Sequence, residues 1–276
     1  MPRELAQRLL TAAILIPLFS AVVLKSPTLY FSLLIAAVVL LATWEWGRLV
    51  RLPSAAWVIF IAAVVVTEGL AIAGEIPPAA TRVICAVAMV WWAAATIWVM
   101  RFKPSTSHSG SPWRGLLVGG MVLLPAFLSL RALHQEAAFG PGYVLFLLFL
   151  IWAADSGAYF AGRRFGKHKL APHVSPGKTW EGFAGGLSAA AVVAVTGGRL
   201  LGLSGEAMVW FVPLCLVVVM LSVVGDLLES LFKRSAGVKD SGHFLPGHGG
   251  ALDRIDSITA AAPAFYLGLT LFEWPA

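Results

Sequence analysis

The sequence carries little charge. Only 12% of its 276 residues are Asp, Glu, Lys or Arg, against roughly 25% in a typical soluble domain. That shortage, with 59% hydrophobic residues and a mean hydropathy of +0.83, excludes a soluble globular chain and points to an integral membrane protein. Nearly all of the chain lies in apolar runs, which leaves no room for a separate soluble domain. Cysteine is scarce as well. Cys85 and Cys215 each sit inside an apolar run, so they read as packing residues and no disulfide framework is expected. No internal repeat and no low-complexity tract is present. The formal net charge is +6, but the basic residues lie in short loops between apolar runs. Lipid topology accounts for them there, so no nucleic-acid partner is expected.

What is there is a series of apolar stretches. A bilayer core takes about 20 helical residues, and nine runs fit: 9–24, 27–47, 55–73, 82–100, 115–133, 143–161, 180–200, 207–232 and 252–272. The N-terminus has the basic start, apolar middle and late small residues of a signal peptide. More spans follow at once, so it is read as a retained first helix, kinked at Pro17. Helices satisfy every backbone group within lipid, so the expected fold is all-α and polytopic. With nine spans and the N-terminus in the cytoplasm, only Lys25, Arg82, Arg131 and Arg199 fall outside. The other basic residues all lie inside, a strong bias. The C-terminus is then periplasmic, and two polar loops, 162–179 and 233–251, share the cytoplasmic face. Residues 1–140 read as scaffold helices and 141–276 as the catalytic region. In the scaffold, Trp44, Glu45 and Trp46 read as an interfacial belt, and Glu68 as an interfacial residue on the outer side.

The chemistry concentrates in the second half. Between Ser222 and Asp256 stand Asp226, Glu229, Asp240, Asp253 and Asp256, five of fourteen acids, beside Lys233, Arg234, Lys239, Arg254, His243 and His248. Ser222, Asp226, Glu229 and Lys233 recur at helical spacing and share a face. Glu229 and Lys233 at i,i+4 suit a simple ion pair, whereas Asp226 has no basic residue within a turn, which suggests a cation. Asp253 and Asp256 at i,i+3 open the last run on one face. Carboxylates without cysteine or a histidine pair suit a hard ion, Mg²⁺ rather than Zn²⁺. Gly249 and Gly250 permit close backbone approach around His248. Upstream, Asp155 lies inside an apolar run, costly unless it is functional or bonded between helices. Arg163 and three more basic residues follow it. In SPGKTWEG (175–182), Gly177-Lys178-Thr179 mimics the end of a nucleotide phosphate loop. Pro172 stands where that motif needs glycine, and no strand precedes it, so the motif is rejected. Ser175 or Thr179 can still cap the following helix, with Glu181 in its first turn, leaving a helix start that favours phosphate beside Lys178.

The run from Ser230 to Asp256 resembles the signature of the phosphatidate cytidylyltransferases. Ser230, Lys233, Arg234, Lys239, Asp240, His248, Gly249, Gly250, Asp253, Arg254 and Asp256 all match it; Ala251 stands where a larger aliphatic is usual. Two further stretches of that family, Asp155–Tyr159 and Ser175–Gly182, are matched, as is a G-D-x-x-E-S element at Gly225–Ser230. The resemblance covers about residues 150–260. It implies that CTP and phosphatidic acid give CDP-diacylglycerol and pyrophosphate. It also implies dependence on Mg²⁺, residence in a bacterial inner membrane with the site facing the cytoplasm, and a homodimer. On that reading Asp226 and Asp253 hold the metal, with Asp256 a further ligand or the partner of one, and the surplus of acids leaves room for a second cation. Lys178, Lys233, Arg234, Lys239 and His248 contact phosphates, Asp240 orients Lys239 or reaches the metal through water, and Asp155 reaches the same cavity. Arg163, Ser175, Thr179, Gly249, Gly250 and Arg254 complete the substrate side. Two rivals share parts of this pattern: a CTP-dependent lipid kinase acting on a polyprenol-type alcohol, and a transporter using Asp155 and Asp226 as intramembrane charges.

Overall fold

The structure, a computed structural model, describes residues 17, 20–103, 112–136, 139–242 and 249–271. Eight long helices carry it: α1 (Thr28–Leu49), α2 (Ser54–Ala73), α3 (Pro78–Arg101), α4 (Pro112–Gln135), α5 (Gly140–Phe165), α6 (Trp180–Leu200), α7 (Gly205–Ala236) and α8 (Leu252–Leu271). Proline and glycine set many of the boundaries. Pro27, Pro53 and Pro77 stand immediately before α1, α2 and α3, where a missing N–H costs nothing. Gly74 and Gly237 end α2 and α7 in the left-handed conformation, which glycine adopts without a steric cost. Seven of the eight helices are long and apolar enough to cross a membrane. The eighth, α8, carries Asp253, Arg254 and Asp256 in its first turns. The expected first span, 9–24, falls largely outside the described residues.

The helices form a polytopic bundle, as the apolar runs required. One departure is local. Within loop 162–179 a short antiparallel hairpin forms, with β1 (Lys169–Ala171) paired to β2 (Ser175–Thr179) in the register Lys169↔Thr179 and Ala171↔Ser175. Hydropathy is blind to so short a pairing, whose strands are only half covered.

Two helix pairs show how the bundle closes. Between α5 and α6 the seam is built from small residues. A Cβ added to Gly157 would lie 2.7 Å from Ala189 Cβ and from the Gly185 carbonyl, and one on Gly182 would lie 2.9 Å from the Ala158 carbonyl. Backbones approach this closely in membranes only where side chains are absent. On the other flank, buried Trp46 of α1 donates its indole N–H to the Gly115 carbonyl of α4 at 2.8 Å and packs on Phe232 of α7. Phe146, Phe211 and Phe265 join α5, α7 and α8 in the core.

These contacts gather the C-terminal ends of α1, α3, α5 and α7 with the N-terminal ends of α2, α4, α6 and α8. Trp44 meets Trp57, Trp98 meets Phe232, and Lys233 meets Asp253. Asp155, Arg163, Lys178, Asp226, Glu229, Lys233, Asp253 and Asp256 belong to that one end. At the opposite end, buried His134 bonds to Thr28 Oγ1 at 3.1 Å and to the Val23 carbonyl at 2.9 Å and stacks on Phe31, so it is a structural tie. Helix α7 has 32 residues, or about 48 Å at 1.5 Å per residue. That exceeds the roughly 30 Å hydrocarbon core, and Glu229 and Lys233 stand near its C-terminal end.

Candidate active site

A cleft of about 370 Å³ opens between α5, the hairpin, α6 and α7. Its floor is small and apolar: Ala154, Ala158, Gly162, Gly182, Gly186, Val219 and Val223. Its polar wall is Asp155, Arg163, Lys178, Thr179 and Asp226. The hairpin puts Lys178 there. Thr179 is the N-cap of α6, its hydroxyl accepting the Gly182 N–H at 3.1 Å, and Glu181 in the first turn accepts the backbone N–H groups of Lys167 and His168. The cap therefore works as the sequence implied, while Ser175 belongs to β2. Pinned at both ends, the hairpin points Lys178 at Asp226, and the pair closes at 2.5 Å. Asp226 is thus paired. No basic residue stands within a turn of it in the sequence, and its lysine comes from another element. Asp155 lies within electrostatic reach of both. Arg163 donates to the Tyr159 hydroxyl at 2.9 Å, and Arg234 reaches the Val174 carbonyl, tying the end of α7 to the hairpin.

Behind Asp226 the acids continue inward. Asp256 faces both Asp226 and Glu229. The Glu229 carboxylate is buried against Asp253 and Asp256. Lys233 lies 3.1 Å from Glu229 Oε1, the i,i+4 pair, and 2.6 Å from Asp253 Oδ1. Among the described residues, Lys233 is the cation beside Glu229, and Glu229 has no backbone donor. Asp253 is the reverse case: Oδ2 faces the Ser241 N–H at 3.0 Å, the Ser241 hydroxyl at 2.9 Å and the Gly250 N–H at 2.8 Å. Gly249 has φ +81, and a Cβ there would lie 2.7 Å from Asp253 Oδ2, so this glycine has a steric reason.

Asp155, Lys178, Asp226, Asp256, Glu229, Lys233 and Asp253 thus form one continuous array across α5, the hairpin, α7 and α8. Among the described residues, no three carboxylate, histidine or cysteine side chains are grouped as ligands of a single metal ion; the lysines stand between the acids. Lys239, Asp240 and Arg254 are exposed beside this array. His248 and His243 lie outside the described residues.

Two acids differ from the sequence reading. Glu45 was expected in an interfacial belt, but it is buried and bonded to the start of α8. Its neighbours in the sequence are two tryptophans and an arginine, which give no hint of a partner some two hundred residues away. Glu68, expected at the outer interface, is more enclosed than that reading implied: it is buried along the face of α2 that carries Phe60 and Val64. It continues the i, i+4 series of those two residues, which was the signal for its burial.

Fold and site together define a polytopic membrane protein with a lysine-and-carboxylate cleft at one end of its bundle, suited to polyanionic substrates that meet it at the lipid boundary. The family model described as "Cytidylyltransferase family" matches residues 6–272, and the chain belongs to that family. Curated relatives named phosphatidate cytidylyltransferase resemble it closely. The protein of Pseudomonas aeruginosa is 42% identical over 272 residues, covering 99% of each chain. That of Haemophilus influenzae is 40% identical, covering 95% of this chain and 97% of its own. A third, from Bacillus subtilis, is 45% identical over 150 residues, 53% of each chain.

Proposed function

We propose that this protein transfers CMP from CTP to phosphatidic acid, giving CDP-diacylglycerol and pyrophosphate. The observation that carries the reading is the near-complete coverage of two relatives with that activity in their names, together with a cleft lined by Asp155, Lys178, Thr179 and Asp226, behind which Lys233 and Asp253 pair. A phosphate oxygen of phosphatidic acid attacks the α-phosphorus of CTP, and the bond from that phosphorus to pyrophosphate breaks. The attacking phosphate is already anionic at neutral pH, so no strong base is needed. Catalysis is then placement and charge neutralisation. Lys178 and Arg163 line the cleft and bind phosphate oxygens. Lys233 and Arg234 extend the positive wall along α7, Lys239 and Arg254 are exposed beside it, and His248 is a further phosphate contact on this reading.

The acids suit a hard cation. Glu229 is buried against Asp253 and Asp256 with the Lys233 ammonium at 3.1 Å from one oxygen, and a buried cluster with more acids than lysines calls for a proton or a metal. Asp226, Asp253 and Asp256 are the acids proposed to contribute to binding of Mg²⁺ and of a second cation, although among the described residues the three are not grouped around a single point. The metal, when bound, neutralises triphosphate charge. The site sits at the cytoplasmic face of a bacterial inner membrane on this reading, since the basic residues gather at its end of the bundle. Nine spans and a homodimer complete it.

Doubly labelled CTP tests the assignment in purified protein with phosphatidic acid and Mg²⁺. The expected result is cytidine label in the lipid with one pyrophosphate released per turnover. Label from the γ-phosphate alone in the lipid would establish a lipid kinase, and flux across vesicles without pyrophosphate a transporter.

A further inference from the structure

Glu45 lies at the end of α1, in the half of the chain that bears none of the signature. Its side chain is nonetheless built into the start of α8. Glu45 is only 6% exposed. Oε1 accepts the Ala251 N–H at 3.0 Å, and Oε2 accepts the Leu252 N–H at 2.8 Å. These are amides at a helix start, where orphan donors and the positive end of the dipole favour an anion. Oε2 also lies 2.9 Å from the Ser241 hydroxyl, and the same hydroxyl lies 2.9 Å from Asp253 Oδ2. One serine therefore sits between two carboxylates. The surroundings leave no slack: a Cβ at Gly242 would collide with Glu45, and one at Gly250 with both Glu45 and Ser241.

We infer that Glu45 is a positioning residue for the proposed transfer. It clamps the first turn of α8 and residues 241–242 from across the bundle, and so fixes where Asp253 presents its carboxylate to Lys233. A buried carboxylate held by two backbone amides, with a shared serine hydroxyl from a separate segment beside it, is more than a solvated charge at an interface. Removing it leaves the Ala251 and Leu252 amides without their acceptor and the serine with Asp253 alone, so the first turn of α8 loses its tie to α1. Displacement of a site by about 1 Å can cost about 10²-fold in rate, so a group outside the cleft acts on turnover through geometry.

This inference rests on the cytidylyltransferase reading, so the test includes a readout that does not need activity. Glu45→Gln keeps the shape, removes the charge and turns an NH₂ toward a backbone donor. Ser241→Ala breaks only the shared hydroxyl and serves if the first variant fails to insert. In the full-length protein, amide hydrogen exchange over residues 249–256 is expected to speed up in both variants. Turnover should fall about 10–100-fold for Glu45→Gln and less for Ser241→Ala, with the KM for phosphatidic acid little changed. Glu45→Asp, one methylene shorter, should recover part of the turnover. Unchanged exchange, or wild-type turnover in a folded Glu45→Gln protein, would overturn the inference. A wild-type protein that makes no CDP-diacylglycerol would instead sink the proposed function, and the exchange measurement would still decide the clamp.

Discussion

Lys178 and Asp226 meet at 2.5 Å from different elements, and that contact locates the cleft better than any sequence pattern. The spacing in α7 put Ser222, Asp226, Glu229 and Lys233 on one face, and the structure agrees. Spacing within one helix has no access to partners on others, so the lysine opposite Asp226 was out of reach. The same limit hid Glu45, whose partners Ser241, Ala251 and Leu252 follow it by some two hundred residues. By contrast the Thr179 cap and the Glu229–Lys233 pair were legible, because both are local. Lys178→Ala removes a charge-assisted donor from the cleft and should lower CDP-diacylglycerol formation about 10²–10³-fold. Lys178→Arg should restore part of it, and steady-state rates in detergent, with the melting transition as control, check both.

At the scale of elements, most helices were readable from hydropathy alone, and their ends from proline and glycine. The hairpin of β1 and β2 was not, since two short half-covered strands leave no periodic signal. Its role is to carry Lys178 over the end of α7, which a bare loop would do with less precision. The α5–α6 seam makes a separate prediction. Gly157→Ala places a methyl 2.7 Å from Ala189 Cβ and from the Gly185 carbonyl. Overpacking of this kind costs about 1–3 kcal/mol. Gly69→Ala in α2, where nothing lies within 4 Å of the added Cβ, should instead be neutral or stabilising by up to about 1 kcal/mol. Thermal melting of the two variants in detergent compares them, and equal midpoints would mean the seam is looser than drawn.

At the scale of the molecule, the distribution of lysine and arginine and the position of the site agree. Arg48, Arg101, Arg114 and Arg163 belong to helix ends at the same end of the bundle as the cleft, and short basic segments favour the cytoplasmic side. A reporter fused after Ala276 should therefore read periplasmic, while a tag inserted between Gly237 and Lys239 should read cytoplasmic. Both on one side would require a miscounted span. The first 140 residues gave only apolar helices to the eye, yet they supply the carboxylate that closes on α8.

The placement of chemistry at this one end stands or falls most directly on Asp226, which joins the cleft to the acids behind it. Asp226→Asn keeps the shape of the side chain and removes its charge. Measured as CDP-diacylglycerol formed from CTP and phosphatidic acid by correctly inserted protein, the rate should drop about 10²–10³-fold. A rate close to wild type would contradict the assignment of the site.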